Sequence, residues 1–141
     1  MVTTDAAIEE MTDVFRVAWL AGPISPVPPI AYRGVELDPP DDASWCRLSI
    51  QHTDGDQETL AAAGGREFQD NGFVFVQIFV PKGSGADQIL AQLIDVAKGA
   101  FRGVTTTSGV VFWEVGHRDL SDEPQYIRAN VSAQFWYRTT A

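Results

Sequence analysis

The residues able to do chemistry in this chain of 141 residues fall into four small groups. Lys82-Gly83-Ser84-Gly85 sits between a strongly apolar run and a helical one, where strand-to-helix turns can hold phosphate. It fits neither the Walker spacing nor the three-glycine dinucleotide fingerprint, so it reads first as a strand stop, a turn and a helix cap. His52 and His117 are the two histidines. Without paired cysteines or a short His–His spacing they make no zinc pattern, and each reads as a strand-end surface residue. Cys46, the one cysteine, alternates with Leu48 and Ile50 and reads as a buried thiol rather than a nucleophile. Asp54-Gly55-Asp56 faintly suggests a calcium loop but lacks the EF-hand ligand spacing and its closing glutamate. Solvated loop charge is the simpler reading for Asp54/Asp56/Glu58, as for Asp38/Asp41/Asp42 and Asp119/Asp122/Glu123. A weak divalent ion at a subunit contact is the alternative. No Ser/His/Asp set with a local signature is present, so acyl chemistry has no support. The sequence calls for no metal and no cofactor.

These groups hang on one central element. In Gly72-Phe-Val-Phe-Val-Gln-Ile-Phe-Val-Pro81, Phe73, Phe75 and Phe79 share one face of a strand, and Val74, Val76, Ile78 and Val80 share the other. Gln77 is the one polar break. A strand apolar on both faces predicts a central position covered on both sides. Pro81 donates no hydrogen bond and ends the ladder; Ser84 is the expected cap of the next helix, with Asp87 as its capping-box partner. That helix is predicted from about Gly85 to Arg102, burying Ile89, Leu90, Leu93, Ile94, Ala97 and Phe101, with Gly103 just past its end.

Before the central strand, Thr4 to Leu20 shows helical spacing of Ile8, Met11, Phe15 and Ala18. Thr4 is the expected N-cap, and Gly22-Pro23 ends the helix. Residues 22–44 hold six of the eight prolines and predict a stiff extended loop, neither helix nor central strand. Val27, Ile30, Tyr32, Val35 and Leu37 should tack it to the domain. Trp45–His52 alternates as a strand with one covered face. Glu58–Ala63 reads as a strand, Gly64-Gly65 as a bend or bulge, and Asn71-Gly72 as either a hairpin turn or a bulge within one long strand. Val110–Val115 reads as a strand, Gly116–Pro124 as an acidic loop, and Gln125–Arg138 as a long strand with one core and one wet face. The expected fold is α+β: one domain over residues 1–141, a mainly antiparallel sheet of about four strands, and two helices on one face, in the order α-β-β-α-β-β.

Length and composition set the frame. A chain of this size buries roughly 70% of its unfolded surface and needs no staple. One cysteine excludes an internal disulfide framework. The acidic N-terminus lacks the basic start of a secretory leader, and no apolar run approaches the ~18 residues of a membrane span. The net charge is −9, and the ten basic residues are scattered singly. That balance argues against tight nucleic-acid binding and suits protein partners, or a surface that DNA passes without sticking.

Several segments, in order, resemble phage tail terminator-like proteins, a group that includes lambda-type tail terminators and tail completion proteins. They are Ile30-Ala31-Tyr32, Gly34-Val35, Leu37-Asp38-Pro39-Pro40, Ser44-Trp45-Cys46-Arg47-Leu48-Ser49, Gly65-Arg66, the Gly72–Pro81 run and Gly83-Ser84-Gly85. The resemblance covers nearly the whole chain. It implies a subunit of the virion neck, assembled in the host cytoplasm, that joins identical copies into a ring, typically hexameric, at the head-proximal end of the tail tube. The implied partners are the tail tube protein, a head–tail connector and the other copies. DNA passes through the ring, no membrane is involved, and no enzymatic site is implied. The implied interface includes the proline-rich loop, with Pro28, Pro29, Tyr32, Pro39 and Pro40 as candidates. The net charge adds a further expectation: Asp54, Asp56, Asp119, Asp122 and Glu123 line an acidic pore. The competing readings are another neck component, and a small anion- or nucleotide-binding domain using the Gly83–Gly85 turn.

Overall fold

The computed structural model describes residues 2–40, 42–53, 56–57 and 67–140. Its elements run α1 (Thr4–Leu20), β1 (Ile30–Tyr32), β2 (Trp45–His52), β3 (Asp56–Gln57), β4 (Glu67–Pro81), α2 (Ala86–Phe101), β5 (Val111–Leu120) and β6 (Tyr126–Thr140). The sheet path is β1-β2-β4-β6-β5, with the short β3 paired to β4. β1 runs parallel to β2 and the other pairings are antiparallel. The fold is therefore α+β as expected, with a mixed sheet of more strands than the four foreseen.

Both helices lie on one face because each has a single apolar stripe. Ala7, Met11, Phe15 and Trp19 of α1 are buried, as are Leu90, Leu93, Ile94, Ala97 and Phe101 of α2. They join one core with Cys46, Leu48, Ile50, Val74, Val76, Ile78, Val80, Ala129, Val131, Ala133 and Phe135. Phe15 stacks on Phe101 at 6.1 Å across the helix pair. A buried side chain of this kind contributes about 1.5–3 kcal/mol, so this layer dominates the stability.

The caps differ from expectation. Thr3, not Thr4, caps α1, its Oγ1 accepting from Ala6 N at 3.2 Å. Ser84 caps nothing: α2 starts from Gly85 in the left-handed conformation, φ 80°, with no side-chain cap bond. Glycine holds that backbone without strain, so the turn needs no capping box. Past α2, Gly103 takes φ 66° as foreseen.

Three segments also depart from the sequence reading. The proline-rich stretch contains β1, since parallel pairing of Ile30 with Cys46 holds it to the sheet edge. Val35 does not tack it down; it is 64% exposed. For Asn71-Gly72 the long-strand alternative holds and the hairpin turn does not: both residues lie inside the single 15-residue strand β4, with no bulge in its pairing to β6. Half of the expected acidic loop is strand. β5 continues to Leu120 because an irregularity between Trp113 and Gly116, with Glu114 at φ 47°, shifts the register and lets pairing with β6 resume. The expected strand Glu58–Ala63 and the Gly64-Gly65 bend lie outside the described residues.

β4 is central, yet from Gly72 to Val80 only one of its faces is covered throughout. Val74, Val76, Ile78 and Val80 are at most 1% exposed beneath the helices. On the opposite face Phe79 is buried, while Phe73 and Phe75 remain partly exposed. No helix packs there; both belong to the other face.

Candidate functional site

Strand register arranges the helix-free face in rows, because paired residues point to the same side. One row is polar across four strands: Arg47, Gln77, Asn130, Arg118. On one side of it come Ser49, Phe75, Ser132 and Gly116, then Gln51, Phe73, Gln134 and Trp113. Asn71, Trp136 and Val111 follow. Phe73 and Phe75 stack at 5.6 Å, and Trp113 is 46% exposed. The guanidinium of Arg138 lies 5.0 Å over the Trp136 ring. The result is an aromatic surface with guanidinium and amide groups, half open to water.

On the other side of the polar row the face is closed by the proline-rich loop. Trp45 and Phe79 stack at 4.0 Å, nearly parallel, and Tyr126 meets Phe79 edge-on at 6.1 Å. Leu37 packs onto this cluster, which also holds Ala31. The Tyr126 hydroxyl donates to the Pro40 carbonyl. Nearer the start of the loop, the Trp19 indole donates to Pro28 O at 2.8 Å. The loop thus begins on the helix side, turns round the sheet edge through β1 and ends on the opposite face. Arg47 stands 5.5 Å over the Trp45 ring at the border between the covered and open areas. Among the described residues the Trp45 indole nitrogen meets no acceptor, although Trp45 is 5% exposed.

Among the described residues, those with chemical potential do not converge. Cys46 is fully buried between Ile30 and Ile78, and burial pushes its thiol far above the ordinary value. His52 Nε2 lies 2.7 Å from the Tyr137 hydroxyl at the end of β2. His117 Nδ1 lies 3.1 Å from Lys98 Nζ on the surface. No group of three His, Cys, Asp or Glu residues among those described has metal-binding geometry. Lys82–Gly85 lines an open hollow of about 520 Å³ with Ala86, Asp87, Gln88 and Ile127. The Asp87 carboxylate in the first turn of α2 opposes an anion there.

The residues expected at a pore or partner surface are scattered. Asp119 is on β5, and Asp122 and Glu123 follow it, Glu123 pairing with Arg128 at 3.4 Å. Asp56 pairs in β3 with Gln69, ten residues of β4 away from Phe79, the partner of Arg128. At about 3.3 Å per residue that is up to ~33 Å. Asp54 and Asp41 lie outside the described residues. In the loop, Pro29 and Pro39 are exposed, Tyr32 and Pro40 partly so, and Pro28 is buried. The aromatic surface formed by Phe73, Trp113 and Trp136 escaped the sequence reading. Its signal was present: apolar residues on both faces of β4, beside a β6 face carrying Trp136.

No protein-family model matches this chain, and no curated protein sequence matches it significantly. A solved structure does match, over 88% of this chain and 93% of its own, with TM-score 0.55 and 17% identity. At that identity the likeness concerns the fold. None of the described helices is long and apolar enough to cross a membrane. The comparisons and the geometry thus support a two-helix, mixed-sheet α+β domain whose chemistry-bearing residues are dispersed and whose open sheet face is aromatic.

Proposed function

We propose that this chain is a structural subunit of a phage tail neck, a tail terminator-like protein acting through self-assembly into a ring, and not an enzyme. The observation that carries this reading is the half-open aromatic face of a sheet whose other face carries both helices. Contiguous apolar surface of this kind marks an interaction site. The order of motifs from β1 to the start of α2 supports the same reading. So do the outer edges of β1 and, beyond the Thr105 bridge at Val111, of β5, which end the sheet path and offer backbone for pairing. The ring stops growth of the tail tube and presents a surface to the head–tail connector, while an acidic molecule lets DNA pass. A neighbouring role in the neck, tail completion or head joining, employs the same surfaces.

Native mass spectrometry and negative-stain microscopy of the purified chain test this reading. A closed ring of about six copies is the expected result, since identical head-to-tail contacts close into cyclic symmetry. A chain that stays monomeric at every concentration and binds a nucleotide at the Lys82–Gly85 hollow refutes it.

A further inference from the structure

The aromatic sheet face and the outer face of α1 carry opposite charge and have similar length. Resting on the ring reading, we propose that they form one head-to-tail contact: the open sheet face of each copy is covered by α1 of the next.

The outer face of α1 carries Asp5, Glu9, Asp13 and Arg16, the last two paired at 2.8 Å. Beside them Val17 is 65% exposed and Leu20 57%. That is an acidic helix face with two large apolar side chains in water. The sheet face carries four of the ten basic residues; Arg128 lies beside Phe79 in the row that the loop closes, which leaves Arg47, Arg118 and Arg138 on the open part. Its acids are Glu67 at one end, Glu123 on Arg128, and Glu114, whose carboxylate is occupied by the Gln134 amide. In a molecule of charge −9, most surfaces of two copies repel. A face rich in arginine is one that a second acidic copy can approach.

Dimensions agree. A helix of 17 residues is about 26 Å long. Eight residues of strand measure about the same, and four strands at ~4.8 Å spacing give a plane of roughly 500 Å² before side-chain relief. With that relief the face approaches the ~800 Å² per partner of a standard interface. A helix laid on the open face also completes the layer that the two-sided apolar pattern of β4 requires. Pairing sheet face to sheet face sets arginine against arginine, so the helix of a second copy is the favoured occupant. The contact is heterologous, the type that generates rings.

Charge reversal tests this contact in the full-length chain. Glu9→Arg and Arg47→Glu each change an exposed residue outside the core. The concentration at which half the chains assemble, read by sedimentation velocity, is expected to rise roughly tenfold or more for each single variant. The double variant E9R/R47E is expected to recover most of that loss. Circular dichroism confirms that each variant folds. If wild-type rings form and both single variants assemble as well as wild type, the contact is refuted while the ring stands. If the wild type is monomeric throughout, both readings fall. An aromatic sheet with arginines can also stack single-stranded nucleic acid. Tight binding of a fluorescent single-stranded oligonucleotide, abolished by Phe75→Ala, overturns the proposal in favour of that ligand.

Discussion

Among the described glycines, Gly72 is the one where an added methyl group has the most to displace. It lies in β4 opposite His52 on one side and Phe135 on the other. A Cβ there falls against the Gln51 carbonyl oxygen and lies 2.5 Å from Phe135 Cζ and 2.9 Å from its Cε2. Phe135 is 1% exposed, so its ring has little room to retreat. The Gln51 oxygen is backbone and moves only if β2 moves. Overpacking a core costs about 1–3 kcal/mol and sometimes more; two obstacles, one of them backbone, put Gly72→Ala near ~3 kcal/mol. For a domain of this size 1 kcal/mol lowers Tm by about 3–4 °C, so a fall of about 10 °C is expected in thermal unfolding followed by circular dichroism. Gly99→Ala is the control. Gly99 is exposed in α2 and a Cβ there meets nothing within 4 Å, so removing a helix-interior glycine stabilises by about 0.5–1 kcal/mol. If Gly72→Ala unfolds at the wild-type temperature while Gly99→Ala behaves as stated, the reasoning is wrong: Phe135 does not close over the β4 backbone as described.

Three further outcomes follow from the same geometry. Trp19→Phe leaves the Pro28 carbonyl without its indole donor and is expected to cost about 1–2 kcal/mol; faster proteolytic cleavage within the proline-rich loop, measured beside urea denaturation, checks it. Tyr137 is fully buried, and its hydroxyl titrates above the ordinary 10.0, chiefly through burial, with Asp70 raising it further and the Thr4 hydrogen bond opposing. A raised folded-state value gives stability that is whole below pH 10 and lost as pH climbs through the folded value. Stability should therefore decline above about pH 10, and less steeply in Tyr137→Phe, as read by urea midpoints across pH. Cys46 should resist a thiol reagent such as Ellman's in the folded protein and react at once in denaturant; rapid native labelling contradicts its burial.

The two helices were legible because their apolar spacing meets one packing surface each, and local periodicity suffices to find such faces. Capping was less legible: Thr3 rather than Thr4, and a left-handed Gly85 in place of a Ser84 cap, turn on backbone angles that composition does not reveal. β1 was hidden because its partner is not local. Ile30-Ala31-Tyr32 becomes a strand only when Cys46-Arg47-Leu48 lies beside it. The far half of β5 was hidden by Glu114. At φ 47° it interrupts the alternation, so Gly116–Leu120 looked like an acidic loop. Acids adjacent in sequence were legible as charge but not as a site: β3 puts Asp56 far from Asp119–Glu123 along the length of β4. The chemical dispersal of His52, His117 and Cys46 was already visible in their spacing, and the geometry keeps them apart.

The open face explains why one strand can be apolar on both sides in a two-layer domain. Where the subunit itself covers β4, at Phe79, it uses Trp45, Tyr126 and the loop carrying Leu37. Where it does not, the Arg47–Gln77–Asn130–Arg118 row crosses the sheet beside Phe75. Groups of this kind stay hydrated in a free subunit, which limits indiscriminate sticking of Phe73, Phe75 and Trp113. Under a partner they lose water and must find acceptors or donors, or each costs about 1–3 kcal/mol. A helix that brings carboxylates at Glu9 and Asp13 beside apolar Val17 and Leu20 meets both demands; a purely apolar surface meets one. In the proposed contact the polar row is the selective element, and the aromatic rows beside it supply the buried apolar area.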